Sequence, residues 1–418
     1  MAEILYLQCV VCNRVYGESD VEYTCPACGE AGTLDVVYDY EALKYQLDRD
    51  ALRASSLMNI WRYRDLLPLA AEGPLPPLAV GWSPVYQSAA LATVLGVRDA
   101  WVKDDGRNPT GSLKDRASSH VVARAMQRGI RTVATASTGN AAAALAGCIA
   151  AVPGMHAVIF VPASAPEAKI AQLLIYGATV LLIDASYDVC FDLSMQVCAE
   201  EGWYSRNTGV NPYTTEGKKT VSLEIAEQFF WSPPDVIVVS VGDGSIISGV
   251  YKGFYDLVRL GWIERIPHII GVQAEGSSPL VHAWENHLDG TAMRPVDAHT
   301  LADSISAGLP RDRVKALRAV RASGGAYVAV SDESILAAIP ELAQLTGVFA
   351  EPASSAAFAG ARKAVQSSLI HPDESVLLLL TGNGLKDIRR AQQATRGGIH
   401  LPPDLDQIRQ ALHRMENR

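Results

Sequence analysis

The chain has 418 residues, 36 Lys and Arg against 45 Asp and Glu, a formal charge of −9, and 49% hydrophobic residues. That much apolar surface excludes intrinsic disorder, and the acidic balance speaks against nucleic acid, whose binders need a basic face. At about 150 residues per domain, the length fits two to three domains or one bilobed α/β body.

The first ten residues, MAEILYLQCV, carry no Lys or Arg. They do not read as a secretory leader, so a cytoplasmic location is expected. Ala141 to Ala163 is apolar enough to suggest a membrane span, but Pro153, Gly154 and His156 interrupt it. A buried helix, a turn and a buried strand are expected there, and no membrane partner.

Four of the seven cysteines fall within the first 28 residues, as Cys9-x-x-Cys12 and Cys25-Pro-Ala-Cys28. Each pair can place two thiolates on one side of a tight turn. Two such turns face to face make a tetrahedral sulfur site suited to Zn²⁺. Gly29 supplies a permissive backbone for the second turn. Four protein ligands leave no open position, so the metal would be structural. The competing reading is four small buried hydrophobes or a redox pair. Residues 1–35 hold one basic residue, Arg14, against six acidic ones. The ribbon is therefore expected to pack on the main body and not on phosphates.

From Trp101 onward, short apolar runs alternate with longer amphipathic ones. The first strand is expected over Trp101–Lys103. Asn108-Pro-Thr-Gly-Ser-Leu-Lys114-Asp-Arg116 follows. Ser112 and Asp115 have capping-box spacing, so a helix should run from Leu113 to Arg128 with Lys114 in its first turn. A cation there opposes the macrodipole, which disfavours the ammonium form and suits a lysine that must attack an aldehyde. The competing reading is a solvated surface lysine.

A strand over Thr132–Ala136 leads into Ser137-Thr138-Gly139-Asn140 and an alanine-rich helix, Ala141–Ala151. That uncharged turn offers backbone N–H groups to an anion such as a carboxylate, or is a plain N-cap. Strands Ala157–Val161 and Thr179–Ile183 alternate with helices Glu167–Tyr176 and Val189–Glu201. A strand over Val236–Val241 runs through Gly242-Asp243-Gly244-Ser245-Ile246 into a helix ending at Leu260. This loop could hold a phosphate on its amides. It is neither a Walker A loop nor a dinucleotide fingerprint, because the required Lys-Thr and third Gly are missing. Strands His268–Gln273 and Val376–Leu380 flank a helix over Glu333–Thr346. After Pro403, Leu405, Ile408 and Leu412 share one face of a tail helix. The expected class is therefore α/β, with parallel sheets covered by helices.

Together these segments resemble the fold-type II pyridoxal-phosphate (PLP) enzymes, and within them the threonine synthases. The likeness is carried by Asn108–Arg116, Ser137–Asn140, Val241–Phe254 and Thr381-Gly-Asn-Gly-Leu-Lys-Asp387. Gly81-Trp-Ser-Pro-Val85 and Asn211-Pro-Tyr213 with Glu216-Gly-Lys-Lys-Thr220 add to it. The resemblance implies two lobes and a ribbon. The ribbon covers 1–40, the large PLP-binding domain 41–100 and 207–400, the small domain 101–206, and a C-terminal helix 401–418.

It further implies that Lys114 holds PLP covalently and serves as catalytic base, and that Asn140 bonds the cofactor's phenolic oxygen. Gly242, Asp243, Gly244, Ser245 and Ile246 would cradle its phosphate, and Thr381 would meet the ring nitrogen with a neutral hydroxyl. Ser137, Thr138 and Gly139 would hold the substrate carboxylate. Cys9, Cys12, Cys25 and Cys28 would bind the Zn²⁺. The implied reaction turns O-phosphohomoserine and water into threonine and phosphate in a homodimeric enzyme. Asp243 and Ile246 depart from the family's loop, where amide side chains are expected. Thr214 stands where many members place an Arg for the substrate's phosphate, and Arg107, Arg206, Lys218 or Lys219 would have to substitute. A β-eliminating or β-replacing enzyme acting on serine, threonine or O-phosphoserine is the alternative. A regulatory or scaffolding protein without turnover is the third reading.

Overall fold

The computed structural model describes residues 4–165 and 167–416. The first three residues of the expected ribbon and the last two of the expected tail lie outside the described residues. Three sheets build the fold. The largest runs Ala326–Val330, His268–Ala274, Val236–Ser240, Ser375–Leu380, Asp99–Asp104, Val85–Gln87 in spatial order. Its pairs are parallel except the last, where Val85–Gln87 lies antiparallel on Asp99–Asp104. Its inner strands Val236–Ser240 and Ser375–Leu380 are buried along their whole length. Their unbroken apolar runs follow from helices covering both faces.

The second sheet is all parallel, ordered Thr179–Ile183, His156–Pro162, Thr132–Ala136, Tyr204–Ser205. The expected strands and helices appear within about two residues of their expected ends, the ordinary uncertainty of element boundaries. The strand expected over Trp101–Lys103 pairs with Ser375–Leu380, so it belongs to the larger sheet and the second sheet's unit begins after it. A short apolar run does not encode which sheet it joins. The tail helix forms as Leu405–Glu416, with Leu405, Ile408 and Leu412 exposed. No helix among the described residues is long and apolar enough to cross a membrane.

A small antiparallel sheet, Val15–Tyr16, Ile4–Cys9, Leu34–Tyr38, carries the N-terminal cysteines. It is fastened to the body by charge. The Tyr38 hydroxyl donates to Glu216, and the Tyr40 hydroxyl donates to Asp256 at 2.6 Å. Lys219 bridges Glu216 and Asp256 at 2.6 and 2.7 Å, and Lys252 adds a contact to Asp256 at 2.6 Å.

Helix Tyr213–Gln228 lies between helices Lys114–Gln127 and Ser245–Leu260. Glycines set both distances. A Cβ at Gly217 would stand 2.4 Å from the Arg116 carbonyl oxygen, and one at Gly253 would stand 2.4 Å from that of Lys219. Helices Lys114–Gln127 and Tyr213–Gln228 are then locked to the end of strand Asp99–Asp104 and the turn after it by a buried ionic quartet. Arg116 donates to Asp105 (2.6 and 2.8 Å) and Glu224 (2.5 and 2.8 Å), and Lys103 donates to Glu224 at 2.8 Å. All four side chains are fully buried. Burial alone would raise the Glu224 carboxyl, but Arg116 and Lys103 hold it down at about 2.

Removing one member leaves an uncompensated buried cation. Glu224→Gln is therefore expected to lower the unfolding free energy by about 3–5 kcal/mol, read from urea melts at neutral pH. A depressed carboxyl stabilises the fold above its unfolded value of 4.5 and loses that contribution as pH falls toward about 2. The difference between wild type and variant should shrink over that window.

Candidate functional site

A cavity of about 380 Å³ opens where the parallel strands end. Thr132–Ala136 delivers Ser137–Asn140, Val236–Ser240 delivers Val241–Ile246, and Ser375–Leu380 delivers Thr381. Arg206 follows directly on Tyr204–Ser205. The carboxyl ends of parallel strands are where open α/β sheets collect ligands, because the following helices point their N-termini there. Lys114 and every residue named from the sequence for cofactor or carboxylate binding line this one cavity.

Lys114 is the first residue of helix Lys114–Gln127. The expected capping box does not form. The Asp115 carboxylate turns back to accept from the Thr110 amide (2.9 Å) and hydroxyl (2.6 Å), and the buried Ser112 hydroxyl has no partner. Spacing alone suggested the box, but the tight Pro109–Gly111 turn brings Thr110 to the carboxylate first. The turn is also stitched to the Thr381 loop. Leu113 N donates to Thr381 O (2.9 Å), and Asn383 N donates to Gly111 O (3.0 Å). Burial and the nearby Arg206 push the Lys114 amine down to about 8, although Glu351 and Asp243 pull the other way.

Two helices present bare N-termini to the cavity. Helix Asn140–Ala150 starts at Gly139, and helix Ser245–Leu260 starts at Gly244; neither has a side-chain cap. Their first N–H groups have no partner within the helix. Gly244 takes φ +84, and a Cβ on it would meet Ala316 at 2.7 Å, so this turn requires glycine. The Asp243 carboxylate is half-buried and accepts from the Arg311 amide at 3.4 Å. This loop offers an anion backbone donors and no competing side chain at its start. Opposite it, the Thr381 hydroxyl is paired at 3.2 Å with that of Ser354, itself a donor to Gly382 O. A neutral hydroxyl pair suits an unprotonated ring nitrogen. An amine of lowered pKa, an uncapped helix start and a neutral hydroxyl around one cavity fit PLP.

Sequence reading missed several lining groups. Glu351 accepts from Asn140 Nδ2 at 3.0 and 3.2 Å, and burial raises its carboxyl. Tyr187, Thr208 and residues 303–306 line other walls. The signal for Glu351 was present: an acid directly before a Pro-Ala-Ser-Ser helix start, Pro352–Gln366. Of the four cations considered for a substrate phosphate, Arg206 lines the cavity. Lys218 lies behind the loop, donating to the Ser245 hydroxyl. Lys219 belongs to the ribbon's ionic cluster, and Arg107 is exposed.

The four cysteine sulfurs lie within 4.8 Å of one another. The Val11 amide points at Cys9 Sγ (3.4 Å) and the Tyr16 hydroxyl sits 3.0 Å from Cys25 Sγ. Gly29 has φ +58, and a Cβ on Gly32 would collide with those of Cys28 and Cys25 at 2.7 and 2.8 Å.

Fold and site together define an α/β enzyme of fold type II that works with PLP. The family described as pyridoxal-phosphate dependent enzyme matches residues 77–382. Threonine synthase of Methanosarcina acetivorans is 39% identical over 97% of this chain and 98% of its own. That of Methanocaldococcus jannaschii is 35% identical over the same shares. Solved structures share the fold at lower identity. A tomato (Solanum lycopersicum) threonine deaminase superposes with a TM-score of 0.63 at 20% identity, covering 84% of this chain and 89% of that one. Diaminopropionate ammonia lyase of Escherichia coli gives 0.64 at 18%, covering 81% and 93%. The chain belongs to the pyridoxal-phosphate dependent enzymes and, within them, to the threonine synthases.

The low amine pKa has a direct consequence. With a value of about 8, roughly a tenth of Lys114 is neutral at pH 7. Capture of PLP by cofactor-stripped protein, trapped with borohydride and mapped to Lys114, should quicken about tenfold per pH unit and level off above pH 8. A rate still climbing at pH 10 would mean an ordinary lysine.

Proposed function

We propose that the protein converts O-phospho-L-homoserine and water into L-threonine and phosphate. The observation that carries this reading is the convergence of Lys114, two uncapped helix N-termini and the Thr381 hydroxyl on one cavity, in a chain whose relatives are threonine synthases. Lys114 would hold the cofactor through Nζ. The Gly242–Ile246 amides would take its phosphate, Asn140 its phenolic oxygen and Thr381 its ring nitrogen. Bound there, PLP supplies the electron sink for carbanion chemistry.

The chain's own residues do the rest. The Ser137–Gly139 turn binds the substrate carboxylate at the start of helix Asn140–Ala150. That fixes the amino acid so its Cα faces the Lys114 amine. With PLP bound, the Lys114 amine would be placed to move the proton at Cα, and loss of a Cβ proton would let the phosphate leave Cγ. Glu351 accepts from Asn140 Nδ2 and so sets which way that amide faces. The buried walls exclude bulk water until phosphate has left and one water adds at Cβ.

Thr214 favours a second reading. Its hydroxyl is spent on the Asn211 carbonyl (2.9 Å) and its side chain is buried, so it offers nothing to a phosphate. On that reading the enzyme carries out β-elimination or β-replacement on serine, threonine or O-phosphoserine.

We further infer that Cys9, Cys12, Cys25 and Cys28 hold one structural Zn²⁺. Support comes from the sulfur spacing and from their absence from the cavity lining. A homodimer in the cytoplasm is part of the same reading. The seven cysteines form no disulfide among the described residues, which suits a reducing compartment, and exposed Leu174, Ile175 and Leu182 suit a covered surface.

Purified protein supplied with O-phosphohomoserine should release phosphate and threonine in equal amounts, and Lys114→Ala should abolish both. Phosphate without threonine, or turnover of O-phosphoserine alone, would install the second reading. Metal analysis should find one zinc per chain, and Cys25→Ser should lose it. That variant should melt several degrees lower with cofactor absorbance retained, since the ribbon is clamped to the body but does not line the site.

A further inference from the structure

Lys114 and Arg206 are the two cations among the described residues lining the main cavity. Arg206 is fully buried and held at two corners. Its Nε donates to the Ser118 hydroxyl (3.0 Å) and its Nη1 to the Thr208 hydroxyl (2.8 Å). Its Nη2 has no partner. Elsewhere the fold gives its buried arginines acids. Arg116 meets Asp105 and Glu224, and Arg62 meets Glu227. Arg313 has no carboxylate, but two carbonyls accept from it. Arg206 has only neutral hydroxyls and a free edge. A buried guanidinium without a counter-ion is costly unless a ligand brings the charge.

The neighbours sharpen that conclusion. Burial pushes Arg206 down to about 10, whereas Asp105 and Glu224 outweigh burial and raise Arg116. Lys114 and Lys218 are both depressed, with Arg206 among the causes. Three cations crowd one corner of the molecule, more than a single phosphate on the Gly242–Ile246 amides requires. A planar guanidinium with one unpartnered edge, fixed by two hydroxyls beside the cavity, is shaped for phosphate oxygens.

We infer that Arg206 is the residue that receives the substrate's own phosphate, the group Thr214 is unable to bind. This rests on the threonine synthase reading. On it, the carboxylate sits at Ser137–Gly139 and the phosphate at the Arg206 edge, so the substrate is gripped at both ends. As a Cβ proton is lost and the Cγ–O bond breaks, the Arg206 charge would then also stabilise the phosphate that leaves with the electron pair of that bond.

The test uses PLP-loaded wild type, Arg206→Gln and Arg206→Lys. Equilibrium dialysis with radiolabelled inorganic phosphate and with L-homoserine, which lacks the phosphate, is run beside steady-state kinetics on O-phosphohomoserine. Losing a charge-assisted partner should weaken phosphate binding and raise KM on the order of 10- to 100-fold in Arg206→Gln. Homoserine binding and the cofactor's visible band should be unchanged, and Arg206→Lys should recover part of the loss. Equal losses for homoserine and phosphate would assign Arg206 to the carboxylate and overturn the inference. Loss of the cofactor band with normal KM in the loaded fraction would assign it to the cofactor's phosphate and also overturn it. If Arg206→Gln does not fold, Arg206→Lys decides, since unchanged phosphate affinity and KM in a variant without the planar fork refute the role. Wild type that binds phosphate through Arg206 yet makes no threonine would refute the functional reading alone.

Discussion

The site depends on four buried charges. Lys103, Asp105, Arg116 and Glu224 come from a strand end, the turn after it and two helices, and none touches water. Arg116 sits two residues after Lys114 on the same helix. Its guanidinium fixes that helix against Asp105 on one side and Glu224 on the other. Position and rotation of the helix start are therefore set by ionic bonds instead of by loose apolar contact. Gly217 allows the approach, since any side chain there would meet the Arg116 carbonyl. Two pairs of opposite sign, each hydrogen-bonded, offset most of their desolvation. What remains is geometric. A lysine that must face a cofactor from the first turn of a helix needs that turn held still.

The same chain buries charges in two ways, and the difference separates support from chemistry. In the quartet and in the cluster of Glu216, Lys219, Lys252 and Asp256, each cation meets a carboxylate within 2.8 Å. Around the cavity the cations are left short of acids, and burial drives their proton affinity down. On the proposed reading Lys114 would gain from this twice, because neutrality would make it a nucleophile on loading and a base in turnover. The carboxyls there, Glu351 and Asp243, are pushed the opposite way. The two cations of the lining, Lys114 and Arg206, have no carboxylate among the described residues as a direct partner, which suits a pocket for anionic ligands.

Much of this was legible in the sequence. Parallel strands such as Val236–Ser240 are continuous apolar runs between Gly- and Pro-rich turns, and a period change into a helix follows each one. Loops such as Ser137–Asn140 and Gly242–Ile246 stand where strand meets helix, so their place at one end of a sheet was implied once the sheet was parallel. Partnership at a distance was not legible. Asp115 was assigned to a capping box because Ser112 has the right spacing, yet Thr110 reaches it first. Glu351 lies far along the chain from Asn140, and no local pattern joins them. Arg206 was one of four equivalent cations until its place in the cavity lining and the unpaired Nη2 set it apart.

The Glu216–Thr220 motif shows how one helix serves three masters. Successive residues on helix Tyr213–Gln228 point about 100° apart, so neighbours face different structures. Glu216 and Lys219, three apart, share a face and bind Tyr38 and Asp256, which anchors the cysteine ribbon. Gly217 faces the Lys114 helix and Lys218 faces the Ser245 hydroxyl beside the phosphate loop. Thr220 accepts from Arg116 at 3.1 Å. Ribbon, lysine helix and phosphate loop thus meet on five consecutive residues. The ribbon touches this helix through Tyr38, and rotating the helix would move Arg116 or Lys218. The acidic ribbon thus covers the outer face of a helix whose other faces pack on the Lys114 helix and on the helix that follows the Val241–Ile246 loop.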